Sequence, residues 1–376
     1  MKAKTQSIVP VPPVPTALPT GEIIFTTSIA GCLRSGARLM KSLTCRLTPR
    51  LFITLLFMLF ILPLRANAAE VSLRVYSSLP DDGYSAHAIW FHRFKQNLDQ
   101  RLPGKIALNY FPNGMLGKEA DAVQQVRIGA IDMTISGTSI WGTLVPEIGV
   151  LDLGYLFDDN QQLGQALDGQ AGQLLSALLA KQSNIKVLGY GFSLGARNIY
   201  SKKPLQSPQD LNRMKVRVLP APNFIATLKS MGATAIPMPG GEVYSALQMG
   251  VIDGVEHDAA TVYTSKYYEI AKYATLTRHI YNPIVATISQ AAFQRIPQPL
   301  QADFLAAASE ATVYERKIAA EKEIQAMDKL KAAGVIFTET DRDYFRRQTL
   351  PLQAAFSGKY PQAKAVLDAI HATAQP

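Results

Sequence analysis

The sequence predicts an α/β fold with a substantial parallel sheet, divided between two domains. Short segments with strand-like alternation are followed by segments whose apolar residues recur at helical spacing. This alternation of strand and helix occurs in the first half of the chain and recurs in the second, as expected for parallel-sheet units. A length of 376 residues fits two domains or one large one.

The first half predicts a strand–helix–strand–helix–strand order. Its strands are predicted at 71–76, 105–111 and 131–136. Between the first two strands, Phe91, Phe94 and Leu98 fall on one face of a helix, which Pro103 ends. A second helix is predicted over 118–130.

The second half repeats the alternation and adds one long helix. Its strands are predicted at 185–192, 214–219 and 234–238, with helices over 223–233 and 240–252. A continuous helix is predicted from 299 to 333, with Gly334 at the position of a C-terminal cap. Such a helix would be roughly 50 Å long, so it is expected to run along both domains.

The N-terminus predicts a cleaved secretory signal peptide. An unbroken apolar run at 51–62 is preceded by basic residues and followed by an A-x-A site, so cleavage is expected after Ala68. The run is shorter than the roughly 20 apolar residues of a membrane helix, and an uncleaved anchor is the alternative. Residues 1–39 resemble no export region, and we expect Met40 to be the true start.

The net charge of +9 comes mostly from this leader. Residues 1–68 hold 8 basic residues and one acidic residue, so the predicted mature chain keeps 30 basic and 28 acidic residues. No basic stripe remains, and nucleic-acid binding is not expected. Both cysteines, Cys32 and Cys45, also lie in the leader, so the mature fold must rest on its core alone.

Gly191 to Gly195 match G-x-S-x-G, the pattern of a hydrolase nucleophile elbow with Ser193 as nucleophile. An elbow needs a helix directly after the serine, but Pro204 and Pro208 would break a helix there. A secreted serine hydrolase is therefore a remote alternative, and no catalytic residue is expected.

A second polar cluster, from Asp253 to Asp258, contains carboxylates and an imidazole of the kind that bind zinc or manganese. Its spacing matches neither H-x-x-x-H nor H-E-x-x-H, so no metal and no other cofactor is expected. His87 and His92 belong to the first predicted helix and are expected to face solvent or a satisfied edge.

These observations leave an exported two-domain chain without catalytic apparatus. Chains of this kind commonly bind small molecules in a cleft between domains. Buried arginines near strand ends would then anchor a ligand, because a guanidinium offers two parallel hydrogen bonds to a carboxylate.

Several motifs resemble the DctP-type substrate-binding proteins of TRAP (tripartite ATP-independent periplasmic) transporters. They are, in order, "YFPNGMLGKEADAVQQVRIGAIDMTI", "PEIGVLDLGYLFDD", "SPQDLNRMKVRVLP" and "GGEVYSALQMGVIDGVEHD". The resemblance implies a periplasmic-binding-protein-like α/β fold, with two lobes around an interdomain cleft and a long helix spanning both. We expect residues 69–194 and about 283–322 to form lobe I, and residues 195–282 and about 323–376 to form lobe II.

The resemblance also implies site residues. In the family, the arginine of a K-x-R-V strand pairs with the ligand carboxylate, and here that residue is Arg217. A second family arginine, in a G-x-R context, matches Arg197. The other expected ligand-binding residues are His257, Asp258, Glu119, Ser78, Gly240 and Trp141.

Two departures from the family pattern bear on the ligand. His257 stands where many members have asparagine, and Gly240 lies in a segment where an aromatic residue often covers the ligand. A roomier pocket is expected, suited to a hydroxylated acid or sugar acid rather than a plain C4-dicarboxylate. Trp141 and Tyr155 could supply an aromatic wall, although core packing is common for both.

The function that the resemblance implies is solute capture rather than catalysis. We expect a monomeric periplasmic protein that closes on a small organic acid and delivers it to the small and large membrane subunits of a TRAP transporter. A binding protein that serves a sensor is the alternative, because one chain does not identify its downstream partner.

Overall fold

The computed structural model describes residues 71–373, which belong to one compact unit of the chain, residues 67–376. The predicted signal peptide, its cleavage site and the proposed start at Met40 lie outside the described residues. Between residues 71 and 373, no helix combines the length and apolar character needed to cross a membrane.

The described chain contains 11 strands, 13 α-helices and four short 3-10 helices. The strands are β1 Val71–Ser77, β2 Ile106–Phe111, β3 Met133–Gly137, β4 Ile185–Phe192, β5 Arg197–Ser201, β6 Lys215–Val218, β7 Thr234–Pro237, β8 Gly254–His257, β9 Tyr273–Ile280, β10 Pro283–Ser289 and β11 Ile336–Thr338. The helices are α1 Ala86–Arg101, α2 Glu119–Arg127, α3 Thr138–Trp141, α4 Asn160–Asp168, α5 Gln170–Ser183, α6 Pro222–Ser230, α7 Val243–Met249, α8 Ala259–Thr264, α9 Gln290–Arg295, α10 Gln298–Ala332, α11 Arg342–Thr349, α12 Pro351–Lys359 and α13 Pro361–His371. Every strand and helix that the sequence predicts with bounds is present within about three residues of them.

These strands form two mixed sheets, one in each lobe. The first has the order β2-β1-β3-β10-β4, in which β1 runs parallel to β2 and β3 and β10 is antiparallel to its neighbours. The second has the order β11-β9-β5-β8-β6-β7, in which β6 runs parallel to β7 and β8, and β5 is antiparallel to its neighbours. The predicted α/β class is confirmed, with antiparallel strands added where the chain crosses between lobes.

The long helix α10 has 35 residues and spans both lobes, as predicted. In the first lobe it packs on α1, where Trp90 Nε1 donates a hydrogen bond to Thr312 Oγ1 at 2.8 Å. At its other end, Lys272 Nζ beside the second sheet donates to the carbonyl of Ala333 at 3.3 Å. Gly334 follows in the left-handed conformation with φ +85°, which ends the helix.

The chain also crosses between the sheets at two short segments, 193–196 after β4 and 281–282 after β9. Strands β1 to β4 and β10 belong to the first sheet, and β5 to β9 and β11 to the second. The residue boundaries expected for lobe I and lobe II stay a prediction, since sheet membership does not assign the helices and loops.

Candidate ligand-binding site

A cavity between the two lobes, about 490 Å³ including its open mouth, is the candidate site. Its polar lining comes from the first lobe, the crossing segments and the second lobe: Ser78, His87 and Glu119; Ser193, Arg197 and Asn282; and His257, Asp258 and Thr261.

Arg197, the first residue of β5, forms a buried ion pair with Glu256 of β8 in this wall. Its Nε lies 2.5 Å from Glu256 Oε2, and its Nη2 lies 2.9 Å from Oε1. The two side chains face each other because β5 and β8 pair antiparallel, with Ile199 opposite Glu256. This parallel two-bond geometry is the strong form of an arginine–carboxylate contact.

The Glu256 carboxylate is held ionised by its neighbours. Burial by itself raises its pKa, but the charge of Arg197 and the nearby imidazole of His279, whose Nε2 lies 3.6 Å from Glu256 Oε2, outweigh burial and lower the pKa to about 2. Arg197 is therefore compensated by protein, and its Nη1 is the atom that remains without a hydrogen-bond partner among residues 71–373.

Arg217 of β6 is the opposite case, a buried cation without a protein counter-ion. Its side chain is 1% exposed, and its Nε and Nη2 both donate to the carbonyl of Met238, at 2.9 and 2.6 Å. Within the described chain, no carboxylate lies within 4.0 Å of the guanidinium, and burial lowers its pKa. Arginine stays charged even so. Arg217 is not among the residues that line the cavity, but its charge acts on Glu119 of the cavity wall.

His257 and Asp258 continue the same wall at the end of β8. His257 Nδ1 lies 2.8 Å from Asp258 Oδ2, and Asp258 Oδ1 accepts the amide of Thr261 at 2.8 Å as the N-cap of α8. Burial and then the charge of Arg197 lower the pKa of His257, and Asp258 offsets only part of this effect. The imidazole is therefore neutral at neutral pH, and a neutral ring can accept or donate a hydrogen bond.

Glu119 and Ser78 face this wall from the first lobe. Glu119 begins α2, and its Oε1 accepts the amide of Gly137 at 3.0 Å. Burial raises the pKa of Glu119, while the Gly137 amide, the Ser78 hydroxyl and the charges of Arg217 and Arg197 offset part of the rise. Glu119 therefore lies close enough to both arginines for their charges to act on its carboxyl group.

Trp141 and Gly240 are not brought into the cavity. Trp141 is fully buried in the core of the first lobe, where its Nε1 donates to Ser136 Oγ at 3.0 Å. Gly240 is exposed, and its carbonyl accepts the hydroxyl of Tyr267 at 3.1 Å. Tyr155 is also buried, donating its hydroxyl to the carbonyl of Thr277 at 3.0 Å.

His87 was expected at solvent or a satisfied edge, and this expectation is wrong. It is 3% exposed and lines the cavity, with Nδ1 2.9 Å from the hydroxyl of Ser77. Burial lowers its pKa to about 3, so the ring is neutral. His92, on the outer face of the same helix, is exposed and pairs with Asp81. The signal available in the sequence was the position of His87 in the first turn of a helix, two residues after its N-cap Ser85.

The surroundings of Ser193 lack the helix that a nucleophile elbow needs. The serine lies in the crossing segment between two strands, and its amide donates to the carbonyl of Asn282 at 3.1 Å. Within residues 71–373, no group of three or more His, Cys, Asp or Glu side chains is arranged to hold a metal ion. The polar lining is suited to holding a small polar anion.

The fold and the cavity define a class, a two-lobed protein that binds a small ligand between its lobes. The chain belongs to the family described as "Bacterial extracellular solute-binding protein, family 7" (DctP), which matches residues 80–359. The resemblance to TRAP solute-binding proteins is thereby confirmed. Proteins of this family bind small organic acids and work with TRAP membrane components.

Curated relatives cover most of the chain. The 2,3-diketo-L-gulonate-binding periplasmic protein YiaO of Escherichia coli is 36% identical over 255 residues, which cover 67% of this chain and 77% of that protein. A solute-binding protein of Verminephrobacter eiseniae is 29% identical over 298 residues, covering 79% of this chain and 88% of that protein.

Solved structures agree in fold and carry sugar acids. A TRAP periplasmic solute-binding protein from Xanthobacter autotrophicus Py2, with bound β-D-galacturonate, has a TM-score of 0.76 and 31% identity, covering 81% of this chain and 100% of that one. The sugar acid binding protein of Advenella mimigardefordensis, in complex with galactonate, has a TM-score of 0.76 and 29% identity, covering 81% and 98%. These relatives favour transport over the sensor alternative.

Proposed function

We propose that this protein captures a sugar acid between its lobes and delivers it to the small and large membrane subunits of a TRAP transporter. It acts as a monomer in the periplasm after removal of its signal peptide, and it catalyses no reaction on the ligand. Uronates and aldonates are the ligand class, because structures 31% and 29% identical to this chain hold galacturonate and galactonate.

The observation that carries this proposal is the unpaired charge of Arg217. Burying a guanidinium without a counter-ion is costly, so the site is stabilised when an anion arrives. The Nη1 atoms of Arg217 and Arg197 have no hydrogen-bond partner among the described residues, and neither is enclosed by protein. We assign the ligand carboxylate to these two atoms, with Arg217 supplying the net charge.

The role of Arg197 differs because Glu256 already neutralises it. Its charge cannot attract an anion strongly, but its fixed position orients one. Lobe closure would remove water from both guanidinium groups and strengthen their hydrogen bonds to the carboxylate. Two charge-assisted bonds, each about 1.5–3 kcal/mol, together with buried carbon are consistent with roughly micromolar affinity.

Isothermal titration calorimetry with D-glucuronate, D-galacturonate and D-galactonate tests this assignment. Arg217→Ala is expected to weaken binding of the tightest of these ligands at least about tenfold. Arg217→Lys is expected to restore little of the affinity, because an ammonium group cannot form the two parallel hydrogen bonds of a guanidinium. Lys215→Ala, which removes an exposed cation from the same strand, is the matched control. Affinity of Arg217→Ala within twofold of wild type would falsify the anchor role.

Delivery of the ligand to the membrane subunits is tested separately from ligand binding. Proteoliposomes containing the small and large subunits of the cognate TRAP transporter should accumulate the bound acid only when the protein is supplied outside. Uptake that does not depend on the protein would contradict the transport role while leaving the binding assignment intact.

A further inference from the structure

Two histidines approach the cavity from opposite lobes. His87 lies in the first turn of α1 on the first sheet, and His257 ends β8 of the second sheet. Both line the cavity, and the charge of Asp258 acts on the His87 ring, which shows that the two walls are close there. The proposed carboxylate anchor does not involve either ring.

Each ring is held by its Nδ1, so only Nε2 is left for a ligand. His87 Nδ1 lies 2.9 Å from Ser77 Oγ, and His257 Nδ1 lies 2.8 Å from Asp258 Oδ2. Among residues 71–373, neither Nε2 has a hydrogen-bond partner, and neither atom is enclosed by protein. These two atoms therefore open into the cavity.

The partners on Nδ1 are compatible with either tautomer of each ring. Ser77 Oγ accepts the amide of Leu79 at 3.1 Å and donates to the Leu79 carbonyl at 3.4 Å, so it can accept from or donate to His87 Nδ1. His257 Nδ1 faces an acceptor, Asp258 Oδ2, and a donor, the Asp258 amide at 3.0 Å. Each Nε2 can therefore donate to or accept from a hydroxyl group, which is itself both a donor and an acceptor.

We propose that His87 and His257 bind the hydroxyl groups of the sugar acid from opposite lobes, each through its Nε2. This inference rests on the proposed function. A hydroxylated acid would then bridge the lobes through its carboxylate and its hydroxyls together. An acid of the same ring size without hydroxyls would reach the arginines but would not engage the two imidazoles.

The test compares two ligands on the full-length mature protein. D-Galacturonate and tetrahydropyran-2-carboxylate share the ring and the carboxylate, but the second lacks all hydroxyls. His87→Ala and His257→Ala are each expected to weaken galacturonate binding about tenfold. Binding of tetrahydropyran-2-carboxylate, followed by ligand-detected NMR, should stay within twofold in both variants, whereas Arg217→Ala should weaken both ligands.

Conservative variants separate recognition from folding. His87→Gln and His257→Asn each keep an amide that can donate to or accept from a hydroxyl group, so each should recover part of the lost galacturonate affinity. Equal losses for both ligands in the histidine variants, or unchanged galacturonate binding, would overturn the inference while the Arg217 result stands. Absence of sugar-acid binding by the wild-type protein would overturn the proposed function together with it.

Discussion

Glu315, near the middle of the long helix α10, accepts a hydrogen bond at 2.8 Å from the amide of Phe192, the last residue of β4. The helix approaches the strand so closely that a Cβ on Gly191 would come within 2.5 Å of Glu315 Oε2. Gly195 has φ +116°, and a Cβ there would collide with Glu323 of the same helix. Packing against α10 thus accounts for both glycines of the G-x-S-x-G motif, together with the positive φ of Gly195.

The buried Glu315 carboxyl makes a prediction about pH. Burial raises its pKa to about 8, although the Phe192 amide and the charge of Arg316 offset part of the rise. A glutamate in the unfolded chain has a pKa of about 4.3, so the unfolded chain loses this proton first. The free energy of unfolding therefore falls as the pH rises from about 4.3 to 8. The contribution reaches about 1.4 kcal/mol per pH unit within that range.

Glu315→Gln removes this titration while keeping an oxygen for the Phe192 amide. The free energy of unfolding of the variant minus that of the wild type should therefore rise between pH 5 and pH 8, measured by urea denaturation with circular dichroism. Glu321→Gln, at an exposed position of the same helix, is the control and should show no such trend. A flat difference for Glu315→Gln would show that the carboxyl is ionised in the folded protein.

Replacing Arg197 and replacing Arg217 should change the stability of the ligand-free protein by different amounts. Arg197→Met leaves Glu256 as an unpaired buried charge and is expected to destabilise the fold by about 3–5 kcal/mol. Arg217→Met removes a charge that has no counter-ion, so it is expected to lower the free energy of unfolding far less, or to raise it. Urea denaturation without ligand checks this order, and equal losses in the two variants would contradict the unpaired state of Arg217.

An aromatic and cationic contact joins the lobes beside the cavity. Tyr84 of the first lobe meets Tyr263 of α8 edge to face at 5.7 Å, and Lys329 of α10 lies over both rings, at 5.4 and 5.3 Å. Tyr84→Leu is expected to speed ligand dissociation about fivefold, because roughly 1 kcal/mol of closed-state contact is lost. Stopped-flow fluorescence measures the rate, and Tyr314→Leu, an exposed tyrosine under Arg93, should leave it unchanged.

The hydrolase alternative has a direct assay. The wild-type protein and Ser193→Ala should both show only background release of p-nitrophenol from p-nitrophenyl acetate, since Ser193 lies between two strands without an elbow helix. Turnover by the wild type that disappears in Ser193→Ala would restore the serine as a nucleophile.

The sequence by itself determined the fold class, the order of the elements and the family. These properties depend on periodicity and motifs within contiguous segments, such as the Ala- and Glu-rich run that became α10 and the K-x-R-V strand that carries Arg217. The same local patterns predict that Arg217 lies on a strand, but they do not predict which groups surround its side chain.

Only the tertiary structure decided which side chains meet. Glu256 belonged to a cluster weighed as a metal site, yet the pairing of β5 with β8 makes it the counter-ion of Arg197. His87 lies in the cavity wall and Trp141 lies in the core. Periodicity in the sequence predicts which face of a helix a residue lies on, but it does not predict what packs against that face. The unpaired charge of Arg217 likewise arises from strands distant in sequence, whose register no local pattern encodes.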